Sequence, residues 1–100
     1  MATLSYAALF VLQAVARGHR FGFDIMDAVE LPSGTVYPAL RRLEAANFVT
    51  SSWEDDDKAR RANRPRRRNY QLTAAGRAQL VDAEARYRAV SKLFSRRSDV

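Results

Sequence analysis

Cysteine is absent from this chain, and histidine occurs once, at position 19. The first absence removes disulfide frameworks, thiolate zinc sites and thiol nucleophiles, and it suits a reducing compartment or a protein indifferent to compartment. The second leaves nothing from which a triad or an imidazole metal site can be assembled, since His19 stands in a turn with no partner in its own segment. No catalytic residue, metal or cofactor is therefore expected, and an enzyme is the remotest class. Long apolar runs are missing too. The longest, Tyr6 to Leu12, falls far short of the roughly 20 residues that cross a bilayer, and no basic residue precedes it, so neither a membrane span nor a secretory leader is expected. The expected location is the cytoplasm. Large aliphatics are sparse: Leu, Ile, Val and Phe supply 23 of 100 residues, just above the roughly 20 % below which chains stay disordered. One small domain follows, with a core expected to be shared with a second copy of the chain.

What the chain does have is arginine. It carries 17 basic and 11 acidic residues, a net charge of +6, and 15 of the basic residues are Arg. Seven cations fall between Lys58 and Arg68 with no acid among them. Arg is favoured over Lys where planar, bidentate contact with phosphate or a guanine edge is useful, although a basic run alone is equally a solvated surface. Its surroundings decide between the two.

Leu4, Ala8, Val11, Leu12 and Val15 repeat at the spacing of one helical face, predicting a helix from Thr3 to Arg17 closed by Gly18. Tyr6, Leu9, Phe10 and Ala14 make it apolar on other sides as well, the mark of a helix buried twice. A shorter helix is predicted over Phe21 to Glu30. After the Leu31-Pro32 turn a third helix, capped by Ser33 or Gly34, runs to about Ala46 with Pro38 in or near its first turn. Asn47 ends it. Phe48 to Trp53 and Arg67 to Leu72 read as two strands joined by a charged loop of about a dozen residues. Thr73 then caps a last helix from Ala74 to about Arg97. The order is mainly α with a two-stranded β-hairpin: a winged helix-turn-helix DNA-binding domain over residues 1–73, then a C-terminal dimerisation helix and short tail over 74–100.

On a helical wheel the third helix turns Val36, Ala39, Leu40, Leu43 and Ala46 inward. Gly34, Pro38, Arg41, Arg42 and Ala45 lie opposite, flanked by Thr35 and Tyr37, a surface suited to close approach to a duplex. In the hairpin, Arg64, Arg66, Arg67 and Arg68 are candidate DNA contacts; Arg64-Pro65-Arg66 either touches phosphates or enters a narrow minor groove. The run Glu54 to Asp57 lacks the alternating spacing and glycine of a calcium loop, and self-pairing with the neighbouring arginines is the better reading. Trp53 reads as a packing residue of the hairpin. On the last helix Leu80, Ala83, Tyr87, Val90 and Phe94 recur at 3, 4, 3, 4, a coiled-coil seam. Together with Phe10 they are the expected dimer interface, which would set two recognition helices about one turn of DNA apart. Packing is the default for Tyr6, Tyr87 and Phe94, and a pocket for a small-molecule effector between subunits is the alternative.

The segments Phe21-Gly22-Phe23-Asp24-Ile25, Ser33-Gly34-Thr35-Val36-Tyr37-Pro38-Ala39-Leu40-Arg41-Arg42-Leu43-Glu44, Trp53-Glu54 and Tyr70-Gln71-Leu72-Thr73-Ala74-Ala75-Gly76 resemble the PadR family of bacterial transcriptional regulators, from about residue 4 to 80. The resemblance implies a winged helix-turn-helix homodimer, generally a repressor, of the small type with one C-terminal helix. It implies DNA contacts at Ser33, Thr35, Tyr37 and the Arg41-Arg42 pair, with the Arg-rich hairpin as wing. Two departures stand out. Phe21 and Phe23 replace tyrosines common in relatives, and the last helix lacks the Trp that stacks on planar drugs in some small members. The expected function is a repressor that binds double-stranded DNA as a homodimer on a palindromic operator. The alternatives are a non-specific architectural DNA-binding protein and a winged-helix protein-interaction module.

Overall fold

Helix α1 (Tyr6–Ala16) starts at Ser5, whose hydroxyl accepts the Ala8 amide at 3.1 Å. It ends where Gly18 turns left-handed at φ 99° and the Gly18 and His19 amides close back on Val15 and Ala14. The computed structural model describes residues 4–98; the expected helix start at Thr3 and the tail beyond Ser98 lie outside the described residues. Helix α1 is the central rod: Leu12 and Val11 are fully buried, with Ala8, Leu9, Ala14 and Val15 close behind. Part of the second face expected to be covered by another copy is therefore buried within the chain, while Tyr6 of that face stays exposed. Around it pack α2 (Gly22–Val29), anchored by Ile25, and α3 (Ser33–Ala45), anchored by Val36, Leu40 and Leu43. Burying such side chains fully contributes about 1.5–3 kcal/mol each, so this helical trio is the core of the fold.

Helix α3 begins one residue earlier than its expected caps. Pro32 occupies the cap position without a side-chain bond, and its carbonyl receives the Thr35 and Val36 amides. Pro38 therefore lies in the second turn, not the first, and leaves the Gly34 carbonyl without its intrahelical donor. At the far end Asn47 adopts φ 64°, and the Phe48 amide reaches the Leu43 carbonyl at 2.9 Å.

Strands β1 (Val49–Trp53) and β2 (Arg68–Leu72) pair antiparallel, from Val49 opposite Leu72 to Trp53 opposite Arg68. The segment before α2 adds a single bridge, Phe21 to Asn69, supported by the Tyr70 amide on the Arg20 carbonyl at 2.8 Å. The hairpin is thereby tied to the start of α2 as well as to the core. The segment joining the strands is not the irregular loop expected. It holds a short helix, α4 (Asp56–Arg61), with Asp55 as cap and Ala59 buried to 3 % exposure. Acids at its start and cations at its end match the helix dipole.

Thr73 joins the hairpin to α5 (Ala74–Ser98): its hydroxyl donates to the Asn47 carbonyl at 2.7 Å and accepts the Gly76 amide at 2.9 Å. Gly76 has no room for a side chain, because a β-carbon there would collide with the Phe48 carbonyl. The first half of α5 lies on α1. Leu80 and Ala83 are buried in the same core cluster, and Gln13 Nε2 donates to Glu84 at 3.0 Å. Beyond that α5 projects, which gives the molecule extents of 57 × 27 × 21 Å.

Candidate nucleic-acid interface

The inward residues of α3 leave its other side to solvent. Ser33, Gly34, Arg41 and Arg42 are exposed; Thr35, Tyr37 and Pro38 are half-buried. Tyr37 lies across Gly22 so tightly that a β-carbon on Gly22 would strike its phenol, so α2 fixes the ring that flanks the helix face. Among the described residues, Arg41 and Arg42 have no acidic partner, and no hydroxyl of Ser33, Thr35 or Tyr37 is committed to a hydrogen bond. The helix therefore presents uncommitted donors around a centre of small residues.

The hairpin is organised differently. Glu54 is buried to 8 % exposure and is gripped by two guanidiniums. Arg64 takes both carboxylate oxygens, through Nη1 on Oε1 and through Nη2 on Oε2 at 2.9 Å, and Arg67 adds a bond at 3.3 Å. The Arg64 guanidinium, with help from Arg67, holds the Glu54 carboxyl down at about 2 against burial that would raise it. Its backbone is also held: the Glu54 amide donates to the Arg67 carbonyl at 2.8 Å, and Arg66 Nε donates to the Glu54 carbonyl at 2.9 Å.

The remaining acids serve the same end. Asp56 pairs with Arg66 at 3.2 Å, Asp57 with Arg60 at 3.5 Å, and Asp55 caps α4 by accepting the Asp57 amide. Arg68 donates to Ser51 at 2.8 Å and pairs with Glu44 of α3 at 3.6 Å, while Ser51 donates to Glu44. The acidic run is thus paired with the arginines, as its sequence suggested. Arginine planes also cover the hairpin aromatics. Arg67 lies 3.8 Å from the Phe21 ring centre, and Arg66 and Arg68 lie 5.7 and 5.3 Å from that of the exposed Trp53. A cleft of about 360 Å³ between Phe21, Gly22, Tyr37, Trp53 and Tyr70 separates α3 from the end of the hairpin. Burial pushes the Tyr70 phenol up in this junction.

The residues marked by the sequence therefore fall into two groups. Those on α3 are brought together on one open surface. Those in the hairpin are brought together too, but largely around Glu54, with Arg64 turned into its carboxylate. Sequence reasoning missed Glu54 as a clamp, Glu44 and Ser51 as partners of Arg68, and α4 itself. The signal for α4 was present in Asp55-Asp56-Asp57 followed by Lys58, Arg60 and Arg61, a capped helix written in charge. On α5, Leu80 and Ala83 are already covered by α1 of the same chain. Tyr87 meets Tyr6 and Phe10 edge to face, at 5.6 and 5.9 Å between ring centres, and Phe94 is exposed.

Three packed helices, the third with free donors on its exposed face, and a paired two-stranded wing define a winged helix-turn-helix. The chain belongs to the PadR-like family: the family model described as "Transcriptional regulator PadR-like family" matches residues 11–82. Solved structures repeat the fold. A PadR family transcription regulator from Clostridium difficile R20291 aligns with a TM-score of 0.78 at 24 % identity, covering 92 % of this chain and 97 % of that one. A transcriptional regulator from Clostridium thermocellum gives 0.76 at 18 % identity over 91 % and 88 %. Bordetella bronchiseptica BpsR, whose DNA binding is regulated by 6-hydroxynicotinic acid, gives 0.72 at 22 % identity over 90 % and 64 %. No curated protein matches the sequence. Among the described residues no group of His, Asp or Glu could hold a metal ion, and no helix is long and apolar enough to cross a membrane.

Proposed function

We propose that this protein is a sequence-specific regulator of transcription, a repressor that acts in the cytoplasm as a homodimer on a palindromic operator in double-stranded DNA. The observation that carries the reading is the state of α3: Arg41 and Arg42 without acidic partners beside the uncommitted hydroxyls of Ser33, Thr35 and Tyr37. A helix that enters the major groove needs donors in this condition, because each must exchange water for a phosphate or base edge without first breaking an internal bond. Pro38 keeps the middle of that face small. The wing bearing Arg64, Arg66, Arg67 and Arg68 flanks it and supplies positive potential along the backbone.

Residues 1–73 form the DNA-binding unit in this reading, and residues 74–100 the dimerisation helix. Tyr6, Phe10, Tyr87, Val90 and Phe94 form an aromatic surface where α1 and the projecting part of α5 meet. A second copy, related by a two-fold axis, buries this surface, whereas Leu80 and Ala83, expected in the same interface, are already buried against α1 of the same chain. A cleft of about 440 Å³ beside it, lined by Leu4, Leu9, Tyr87 and Val90, is where a small-molecule effector would bear on the dimer.

Binding to the duplex upstream of the protein's own gene, against a scrambled duplex, tests this directly. Expected are a preference of about 10³-fold or more, one dimer per site and a steep inverse dependence on salt. Equal affinity for both duplexes, and for sites selected from random sequence, would replace the regulator with an architectural protein. A monomer in sedimentation at the concentrations that bind DNA would remove the dimer.

A further inference from the structure

Of the seven cations between Lys58 and Arg68, five are engaged by acids of the same chain: Arg60 by Asp57, Arg64 and Arg67 by Glu54, Arg66 by Asp56, and Arg68 by Glu44. Lys58 and Arg61 are the two that are not, among the described residues. Both lie on α4, three residues apart, and are therefore neighbours on one flank. With Ala59 pointing inward, successive steps of about 100° put Asp56, Asp57 and Arg60 on the other flank. Arg61 also borders Asp57, four residues earlier, but that carboxylate is taken by Arg60 on the other flank, so the two cations without an acid share one flank and the paired charges the other.

Its placement is equally determined. Glu54 precedes α4 and Arg64 follows it, so their bidentate bond closes the excursion at its base. The Arg64 amide bonds the Ala59 carbonyl at 3.2 Å, and Asn63 makes the return turn at φ 55°. Trp53, next to Glu54, shares a cleft with Tyr37 of α3. The base of α4 is therefore held next to the N-terminal half of the helix that carries the free donors.

We propose that the Lys58–Arg61 flank of α4 is a phosphate-binding site for the backbone of duplex DNA, and that Glu54 is its positioning residue, which withdraws Arg64 and Arg67 from DNA contact to aim the helix. The inference deepens the DNA-binding reading above and rests on it. It moves the wing's phosphate contacts away from Arg64 and Arg67 and onto two residues that charge density alone does not distinguish.

The test is the salt dependence of binding to a random-sequence 30-base-pair duplex, since phosphate contacts need no particular sequence. Removing two phosphate contacts lowers the slope of log K against log salt by about 1.8. K58A/R61A is expected to show that loss with an unchanged Tm, and K58Q/R61Q repeats it with longer side chains if helicity falls. R88A/K92A, which removes the same net charge from α5, is expected to leave the slope alone. In an E54Q background the K58A/R61A loss shrinks below about 1, since α4 is no longer held in place. An unchanged slope in folded K58A/R61A, or an equal change in R88A/K92A, overturns the site. If the wild-type protein binds no duplex at low salt, the DNA reading itself fails. A wild-type protein that prefers a polyglutamate peptide to the duplex likewise overturns the proposal, in favour of an acidic protein partner.

Discussion

Arg41 and Arg42 on α3 reach solvent without an acidic partner among the described residues, whereas Arg64 and Arg67 in the wing share one buried carboxylate. The same side chain is a free ligand group in one region, where it is sparse, and internal structure in the other, where it is dense. The difference comes from the neighbouring acids. Helix α3 carries a single acid, Glu44, and that one faces the hairpin, where it takes Arg68 and Ser51. The wing opens with four consecutive acids, of which Glu54, Asp56 and Asp57 meet the arginines following them and Asp55 caps α4. Formal charge therefore overstates what the wing offers a polyanion and understates the share of α3. A guanidinium that must leave a carboxylate to reach a phosphate gains little by the exchange.

The sharpest way to break this comparison is to remove the free pair. R41A/R42A is expected to lower affinity for the preferred operator by about 2–6 kcal/mol, at about 1–3 kcal/mol for each base-directed arginine, with Tm nearly unchanged because both side chains are exposed. Titration of labelled operator, beside a thermal melt, reads both quantities. A large fall in Tm with little change in affinity would reverse the roles assigned to helix and wing.

The opposite pattern is expected for Glu54. E54Q keeps the shape but loses the charge that holds Arg64 and Arg67, so the melt drops by several degrees. Two released guanidiniums add as much as about 1.8 to the salt slope on random duplex, and the unheld α4 flank gives up about 0.8 or more, so the net steepening is at most about 1. Stability falls while non-specific binding rises, a combination that loss of an ordinary DNA contact cannot produce. A pH series sharpens the same point. The folded carboxyl is held at about 2, below its ordinary 4.5, so its contribution is present above about pH 4.5 and is lost as pH falls towards 2. Wild type is expected to lose Tm across that window more steeply than E54Q. Parallel curves would mean that the clamp contributes nothing.

Much of this division was written in the sequence, though unevenly. The core-facing side of α1, the Gly18 and Asn47 stops, the inward Val36, Ala39, Leu40 and Leu43 of α3 and the Thr73 cap all follow from local spacing and local backbone chemistry, which act over a few residues wherever the chain folds. Ala46, expected inward with them, is the exposed C-cap instead. Helix α4 had its cap and charge order in the sequence but not its stability, because six residues form no stable helix alone. It exists by virtue of the buried Ala59 and the closure of Glu54 on Arg64, ten positions apart. Pairings such as Arg68 with Glu44 depend on the hairpin folding back on α3, and no periodicity encodes them. The C-terminal seam was legible as an apolar stripe, but the stripe does not say which partner covers it; α1 of the same chain takes Leu80 and Ala83.

The smallest effect is the most discriminating for the sorting of charge on α4. Asp57 and Arg60 face each other at 3.5 Å, with side chains 68 % and 79 % exposed. An exposed pair at this spacing contributes about 0.2–0.5 kcal/mol, so D57N barely moves the melt. It does leave Arg60 without its acid. If neutral pairing alone keeps Arg60 out of DNA contact, the salt slope steepens by about 0.9, one further phosphate. An unchanged slope would mean that orientation, not pairing, excludes Arg60, and that only the flank bearing Lys58 and Arg61 faces the backbone. The two outcomes separate electrostatic masking from geometry within a single turn of helix, where the contrast between α3 and the wing is repeated at its smallest scale.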